Sequence, residues 1–168
     1  MVGAVLVRRG KRIGRGWHRR AGLAHAEVNA IEDAVKYGHA TRGATLFVTL
    51  EPCSTHGRTP PCTQAIVDAG IGRVIVAAPD PNPSHAGRAF QKLRRKGVAV
   101  EHGLLTEPAA ELNAFFNHWI TNDLPLVTVK AAMTLDGKIA TASGESKWIT
   151  GPSARREGMK LRHEADAI

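Results

Sequence analysis

One histidine and two cysteines constrain this chain most, because together they can hold a metal ion that ties three distant segments to one point. Glu27 follows His25 by two residues, and each cysteine, Cys53 and Cys62, comes directly after a proline. One imidazole and two thiolates suit a tetrahedral zinc ion whose fourth position stays open for water. Such a water has its pKa lowered toward ~7, so that hydroxide is available at neutral pH. Glu27 then lies where a general base acting on that water is needed.

The two cysteines also permit simpler interpretations. They could form a disulfide, or they could be small buried hydrophobic side chains. The chain opens without a hydrophobic signal segment and contains no apolar run of membrane-spanning length. We therefore expect a cytoplasmic protein, and in a reducing compartment a cysteine pair is more often metal-binding or catalytic. A closed structural zinc site would need a fourth protein ligand, for which the candidates are His56, His85 and His102.

The charge of the chain favours an anionic partner. The 168 residues carry a formal net charge of +8, which suits phosphate on a small substrate or phosphate on a nucleic acid. The basic residues form two clusters, and we interpret the second, at 92–96, as a solvated face. The first cluster consists of Arg8, Arg9, Lys11, Arg12, Arg15, Arg19 and Arg20.

Strands and helices alternate along the first part of the chain, which predicts an α/β domain with some parallel strand pairing. The predicted strands cover 2–7, 12–17, 45–50, 73–78 and 98–102, and the predicted helices cover 26–37, 59–69 and 87–95. His25 and Glu27 then lie at the start of one helix, and Cys62 lies in the first turn of another. A helix N-terminus lowers the pKa of a thiol, so thiolate ligands suit these positions.

The remaining residues predict one more helix, a connector and the start of a second domain. A helix over 108–120 carries a stripe that we interpret as core, formed by Leu112, Phe115, Phe116 and Trp119. The polar connector at 121–125 predicts a boundary that divides the chain into residues 1–123 and 124–168. The second part is expected to contain a strand over 126–132, a turn at 134–138, a helix from 151 to about 163 and the start of a strand at 165–168, so that the chain stops within a domain.

Longer motifs resemble a known family, the bifunctional riboflavin-biosynthesis deaminase/reductases. The resembling segments are AHAE at 24–27, TLEPCSTHGRTPPC at 49–62, DPNP at 80–83, LDGK at 135–138 and SGESKWIT at 143–150. The resemblance extends over essentially the whole chain. Its most specific part is the stretch of eight residues between the cysteines, since nucleic-acid deaminases of the same superfamily have only two residues there.

The resemblance implies a cytidine-deaminase-like fold for residues 1–123, a three-layer α/β/α arrangement with a mixed sheet. It implies removal of the ring 2-amino group, as ammonia, from a diaminopyrimidinone that carries a phosphoribosylamino group. In this family His25, Cys53 and Cys62 correspond to the zinc ligands, and Glu27 corresponds to the proton shuttle. The positions that correspond to substrate contacts, with Arg58 at the phosphate, are His18, Arg58, Asp80 and Asn82. A proline-rich turn is the other interpretation of segment 80–83.

Residues 124–168 resemble the start of the family's dihydrofolate-reductase-like domain, which reduces the ribosyl group to a ribityl chain with NADPH. Ala132 and Trp148 correspond to cofactor positions, and Ser146 and Arg162 to substrate positions. The family pattern begins before residue 1, with a helix and a Pro-Asn-Pro segment, and extends beyond residue 168. We therefore expect a piece of a longer protein that by itself lacks reductase activity.

These observations predict a zinc-dependent deaminase with a small phosphorylated pyrimidine as substrate, with no nucleic-acid or membrane partner, in a homo-oligomer. Two alternatives stay open. A zinc deaminase acting on tRNA or another nucleic acid is favoured by the basic charge and disfavoured by the cysteine spacing. A non-catalytic zinc-stabilised binding domain would draw its fourth ligand from one of the three histidines named above.

Overall fold

A mixed five-stranded sheet is the frame of the first part of the chain. The computed structural model describes residues 1–168, which divide into two units, Met1–Leu126 and Val127–Ile168. The strands are β1 (Gly3–Arg8), β2 (Lys11–Trp17), β3 (Thr45–Leu50), β4 (Arg73–Ala78) and β5 (Ala99–His102), in the sheet order β2-β1-β3-β4-β5. Strand β1 pairs antiparallel with both β2 and β3, whereas β3, β4 and β5 are parallel to one another. The α/β prediction with some parallel pairing is therefore confirmed.

One face of this sheet is covered by three helices, α1 (Ala26–Lys36), α2 (Cys62–Asp68) and α3 (Arg88–Arg95). Side chains alternate along a strand, so every second residue of the central strands meets these helices. Leu46 of β3 and Val74 of β4 are fully buried there against Ile66 and Leu93. The opposite face carries the other half of the alternating strand side chains, among them Phe47. The residues that lead into helix α4 (Thr106–Leu112) lie beside this face. None of the helices is both long and apolar enough to cross a membrane.

The strand directions bring three loops to one edge of the sheet. Parallel strands β3 and β4 both end at this edge, so the loops 51–61 and 79–87 lie side by side. Strand β2 also ends there, because Trp17 pairs with Gly3 at the start of the antiparallel strand β1. The loop 18–25, which leads into α1, is therefore the third member of the group.

Helix α1 lies directly on β2 because two residues of that strand lack a side chain. A Cβ atom on Gly14 would lie 2.2 Å from the carbonyl oxygen of Ala30, and a Cβ atom on Gly16 would lie 2.4 Å from the carbonyl oxygen of Ala26. Only glycine permits this approach without movement of the helix. The two glycines thus fix the height of α1, and of the residues at its start, above the sheet.

Most predicted elements of the first unit occur within one or two residues of their expected bounds, but helix α2 begins at Cys62 and not at 59. Pro61 caps the helix in an extended conformation, with φ −65° and ψ 132°. Thr59 and Pro60 each precede a proline, which disfavours the helical conformation at both positions. The prediction that Cys62 lies in the first turn is confirmed.

The single helix predicted over 108–120 is wrong. The structure has two short helices, α4 and α5 (Ala114–Asn122), separated at Asn113, whose φ of −118° leaves the helical region. The stripe that we interpreted as core is exposed, with 38% to 53% of each side chain accessible for Leu112, Phe115, Phe116 and Trp119. The interruption at Asn113 divides the stripe between two helices, of which α4 buries only Ala109 and α5 buries no residue.

The second unit contains the predicted turn and helix but neither predicted strand. The backbone N–H of Thr134 donates to Lys138 at 2.9 Å, which closes the turn at 134–138, and helix α6 (Pro152–Glu164) follows. Segments 126–132 and 165–168 are not strands, because neither forms a hydrogen-bonded ladder with another segment. The connector predicted at 121–125 is partly helical, since α5 extends through Asn122, and the first unit continues to Leu126.

Candidate metal centre

Three ligand atoms from distant parts of the sequence converge at the edge of the sheet. The ligand atoms of His25, Cys53 and Cys62 all lie within 4.8 Å of one another. The Nδ1 atom of His25 is 3.5 Å from the Cys53 sulfur and 3.2 Å from the Cys62 sulfur. Tetrahedral zinc, with bonds of about 2.3 Å to sulfur and about 2.0 Å to nitrogen, separates such atoms by about 3.6 Å. The cysteines form no disulfide, and the three donors fit zinc.

Each ligand is placed by the start or end of a regular element. His25 caps α1, Cys62 is the first residue of α2, and Cys53 follows the end of β3. Both helix N-termini direct partial positive charge toward the sulfurs, which stabilises thiolates. The backbone N–H of Cys62 also donates to the Cys53 sulfur at 3.1 Å. The local backbone thus favours negative charge on the two sulfurs independently of a bound metal.

The His25 ring is oriented by a residue that has no sequence signal of its own. Its Nδ1 atom faces the sulfurs, and its Nε2 atom lies 3.4 Å from the hydroxyl oxygen of Thr59. A neutral imidazole that coordinates through Nδ1 carries its proton on Nε2 and can donate it to that hydroxyl. Partners of this kind fix the tautomer and the orientation of a metal-binding histidine.

The two thiols differ sharply in their affinity for a proton. Hydrogen bonding from Cys62, followed by that from His25, lowers the pKa of Cys53 to about 4. The same contact with Cys53, together with burial, raises the pKa of Cys62. Cys53 is therefore the thiol of the pair that loses its proton more readily. A divalent cation held by both sulfurs would stabilise both thiolates.

Glu27 is a buried carboxyl in the first turn of α1, with only 3% of the residue exposed. Burial raises the pKa of this carboxyl above its ordinary value, because a charged carboxylate is poorly solvated there. A carboxyl with raised proton affinity is suited to accept and return protons near neutral pH. Its position two residues after His25 places it at the same helix start as the ligand.

A cavity of about 430 Å³ opens beside the metal centre, a volume within the range of small-molecule sites. His25 and Cys53 form part of its wall. All four residues that we predicted as substrate contacts line it as well: His18, Arg58, Asp80 and Asn82. The structure thus brings residues from three loops to one concave surface next to the proposed ligands.

Contacts within the loops orient several of these side chains. The Nδ1 atom of His18 is 3.2 Å from the carbonyl oxygen of Ala24 and therefore donates, which leaves Nε2 as an acceptor. Its ring meets the His25 ring edge to face at 5.0 Å. Oδ1 of Asp80 accepts from the backbone N–H of Asn82 at 2.9 Å. The turn that we considered at 80–83 and the cavity wall are thus the same structure.

Some cavity residues were not predicted as part of the site. Phe116 and Ile120 reach the cavity from α5, and their helical spacing is the same signal that suggested core packing. His85, considered only as a fourth ligand, also lines the cavity, and its Nδ1 atom is buried without a hydrogen-bond partner. The sequence shows that such residues are apolar or titratable, but it does not show which surface of the folded chain they face.

The alternative of a closed structural site finds no support in the histidines, since the metal cluster contains only three residues. His56 is exposed and donates from Nδ1 to the carbonyl of Gly57 at 3.0 Å. His102 stacks on Phe90 at the far strand β5. His85 lines the cavity without joining the cluster. Three protein ligands with an open position are typical of catalytic zinc.

The positions predicted for the reductase lie in the second unit. Ala132, Ser146 and Trp148 are on loops and Arg162 is on α6. Trp148 is 70% exposed and stacks under the guanidinium of Arg155 at 4.4 Å. No hydrogen bond or ring contact joins any two of the four predicted residues, so their assignment as cofactor and substrate contacts stays a prediction.

Two family models match the chain. Residues 1–78 match the cytidine and deoxycytidylate deaminase zinc-binding region, a stretch that includes the three proposed ligands and Glu27. Residues 125–168 match the RibD C-terminal domain. The match to the first model, together with the mixed sheet, confirms the cytidine-deaminase-like fold predicted for the first part of the chain.

Individual proteins match over nearly the full chain. The riboflavin biosynthesis protein RibD of Aquifex aeolicus is 52% identical over 167 residues, which are 99% of this chain and 46% of that protein. A diaminohydroxyphosphoribosylaminopyrimidine deaminase/5-amino-6-(5-phosphoribosylamino)uracil reductase of Thermotoga maritima has a crystal structure that matches with a TM-score of 0.88 and 47% identity, covering 96% of this chain and 46% of that one. RibD of Acinetobacter baumannii matches with a TM-score of 0.85 and 48% identity over 96% of this chain and 44% of that one. The chain thus spans less than half the length of these relatives.

Proposed function

We propose that the chain belongs to the RibD family of riboflavin biosynthesis proteins, to which it is similar over nearly its full length, and that its first unit is a zinc-dependent deaminase. Its substrate is a diaminopyrimidinone with a phosphoribosylamino group, which loses the ring 2-amino group as ammonia. The observation that carries this proposal is the three-residue ligand cluster beside a buried carboxyl and an open cavity. A binding domain would have no need for an open metal position or for a buried proton acceptor.

In the proposed reaction, the metal ligands and Glu27 have separate roles. When bound, zinc supplies Lewis acidity at the open position, which makes a water molecule a nucleophile at neutral pH. Glu27 accepts one proton of the attacking water and transfers it to the ring nitrogen, then takes the second proton from the newly added hydroxyl group and delivers it to the departing amine. His25, Cys53 and Cys62 hold the metal. The helix starts on which two of them lie keep these ligands in place.

The cavity wall supplies recognition of the substrate. Arg58 is exposed, forms no ion pair within the chain, and lies on the wall. A guanidinium binds two phosphate oxygens at once, so we place the phosphate at Arg58. His18 presents an acceptor nitrogen, and Asp80 and Asn82 present polar atoms. These groups suit the amino and carbonyl substituents of a pyrimidine ring.

For the second part of the chain we propose the role that its family model suggests, the start of an NADPH-dependent reductase domain. Ala132 and Trp148 would then contact the cofactor, and Ser146 and Arg162 the substrate, with the domain boundary after residue 123. We also propose that the protein acts in the cytoplasm as a homo-oligomer, with a small-molecule substrate and not a nucleic acid.

The deaminase proposal is tested by measuring ammonia release from the diaminopyrimidinone phosphoribosylamine. The chain loaded with one zinc should release ammonia, and the same preparation treated with a chelator should not. A zinc-loaded chain that releases none contradicts the proposal. Faster deamination of a tRNA, with a steep loss of binding as salt increases, would instead favour the nucleic-acid alternative.

A further inference from the structure

Glu51 is a buried acid whose role no sequence motif explains. Only 6% of the residue is exposed, and neither of the ion pairs in the structure involves it. Its carboxylate instead accepts three backbone N–H groups. Oε2 accepts from Asp80 at 3.2 Å and from Gly87 at 3.0 Å, and Oε1 accepts from Ala89 at 3.0 Å.

These hydrogen bonds join the two loops that form the site. Glu51 comes two residues before Cys53, and its backbone N–H donates to Ala78 at the end of β4. Its three N–H donors lie at the two ends of the loop 79–87, at Asp80 and Gly87, and in the first turn of α3, at Ala89. The loop between them carries Asp80, Asn82 and His85, all of which line the cavity. One carboxylate thus connects the metal-ligand loop to the loop 79–87, which forms another part of the cavity wall.

Glu51 also completes the start of α3. The cap residue of that helix is Gly87, whose lack of a side chain leaves the first backbone N–H groups without a local acceptor. The carboxylate of Glu51 accepts from Gly87 and Ala89 at this helix start. Charge-assisted bonds of this kind are stronger than neutral ones, and the helix dipole favours the negative charge.

We propose that Glu51 is a positioning residue, which fixes the 79–87 wall of the cavity at its distance from the metal centre and thereby sets the affinity for substrate. The inference rests on the proposed deaminase function for its kinetic consequence. Glu51 is not a catalytic residue, because its oxygen atoms are occupied by backbone N–H groups and it is not part of the metal cluster. Its effect passes through the residues that it holds.

The test replaces Glu51 with Gln, which keeps the size of the side chain but places an NH₂ group against at least one N–H donor. We expect one zinc per chain, a KM raised about tenfold or more, and a kcat changed by less than about threefold. Glu32→Gln is the matched control, since it makes the same chemical change at an exposed position of α1. Kinetics of Glu51→Gln equal to those of the control would overturn the proposal. Loss of zinc and of kcat with unchanged KM would also overturn it, because Glu51 would then support the metal and not the wall.

The three hydrogen bonds of Glu51 to Asp80, Gly87 and Ala89 are here called the clamp. Hydrogen exchange of the zinc-loaded chain tests this clamp without any substrate. The amides of Asp80, Gly87 and Ala89 should exchange faster in Glu51→Gln, with unchanged protection in α1. Unchanged protection of these three amides would contradict the clamp. Glu51→Asp, shorter by one methylene but still charged, should show the same changes in smaller measure, and it decides the outcome if the Gln variant does not fold. Wild-type chain without deaminase activity would contradict the proposed function, while the exchange comparison would still decide the clamp.

Discussion

Single side chains at the site have strongly contrasting surroundings. Glu27 is removed from water, and burial raises the pKa of its carboxyl. Arg58, on the wall of the cavity beside the metal centre, is exposed. A carboxyl that carries protons benefits from a position without water, because burial raises its pKa toward neutral pH. A phosphate anchor benefits from a position at the rim, where the charged group of the substrate can remain partly solvated.

Replacement of Glu27 with Gln should separate catalysis from metal binding. The amide keeps the size and polarity of the side chain but cannot carry the proton, so turnover should fall by about 100-fold or more while zinc stays bound. Ammonia release and zinc content by elemental analysis measure the two effects. Glu32→Gln is again the control. Normal turnover by the Glu27 variant would eliminate Glu27 as the proton shuttle.

Replacement of Arg58 with Ala should affect binding of the phosphate group and not the ring chemistry. We expect a KM for the phosphorylated substrate that is raised by about tenfold or more, with little change for the dephosphorylated analogue. Steady-state kinetics on both compounds check this. Arg95→Ala removes an exposed guanidinium from α3, away from the cavity lining, and should change neither. Equal losses on both compounds would show that Arg58 is not at the phosphate.

Between elements, the close approach of α1 to β2 at Gly14 and Gly16 determines where the metal ligand at the helix start can lie. Gly16→Ala should lower the free energy of unfolding by about 1–3 kcal/mol or more, because the new Cβ would overlap the backbone of α1. Chemical denaturation measures the change. Gly3→Ala on the neighbouring strand is the control, since its Cβ would have its nearest neighbour at 4.0 Å. Equal stability of the two variants would mean that α1 can move without cost.

The elements that were predictable from sequence are those whose hydrophobic pattern matches their burial. Strands β3 and β4 have the predicted bounds, because buried strands read as continuous apolar runs between turn residues. The stripe at 112–119 misled the prediction, since an apolar face on a helix has the same spacing whether it is buried or exposed; its four residues are exposed, and only Phe116 lines the cavity. The strand predicted at 126–132 failed for a related reason: a strand is defined by its neighbour, which a local pattern does not contain.

The site was predictable where chemistry depends on residue type and not where it depends on tertiary placement. Metal ligands must be His or Cys, so His25, Cys53 and Cys62 stood out from their identities and spacing. Thr59 and Glu51 belong to common residue types, and their roles arise only when the fold brings them to an imidazole nitrogen or to three backbone N–H groups. Local sequence does not report these contacts.

For the first unit as a whole, the metal centre links segments that are far apart in the chain. The ligands come from the start of α1, the end of β3 and the start of α2. A site assembled in this way exists only in the folded state, so the free energy of metal binding contributes to the stability of the fold.

Removal of zinc should therefore lower the melting temperature of the chain, and the effect should be smaller in acid. Hydrogen bonding to Cys53 raises the pKa of His25, so this imidazole keeps its proton to higher pH than an isolated histidine does. Since the metal needs the unprotonated ring and both thiolates, protons compete with zinc increasingly as the pH falls through neutrality. Calorimetric melting with and without chelator, at several pH values, measures this difference. A zinc-dependent shift that is the same at all pH values would contradict the assignment of these ligands.

The loop between the two cysteines has a consequence for redesign. Its residues 55–58 are exposed, its two ends are fixed at the ligands, and Thr55, Gly57 and Arg58 form part of the cavity wall. Under the proposed function, the loop residues that contact the substrate and the residues that hold the metal therefore occupy separate segments of the polypeptide. An engineer could exchange residues 54–58 for other sequences, keep Thr59 as the support of His25, and obtain new substrate ranges from an unchanged reaction centre.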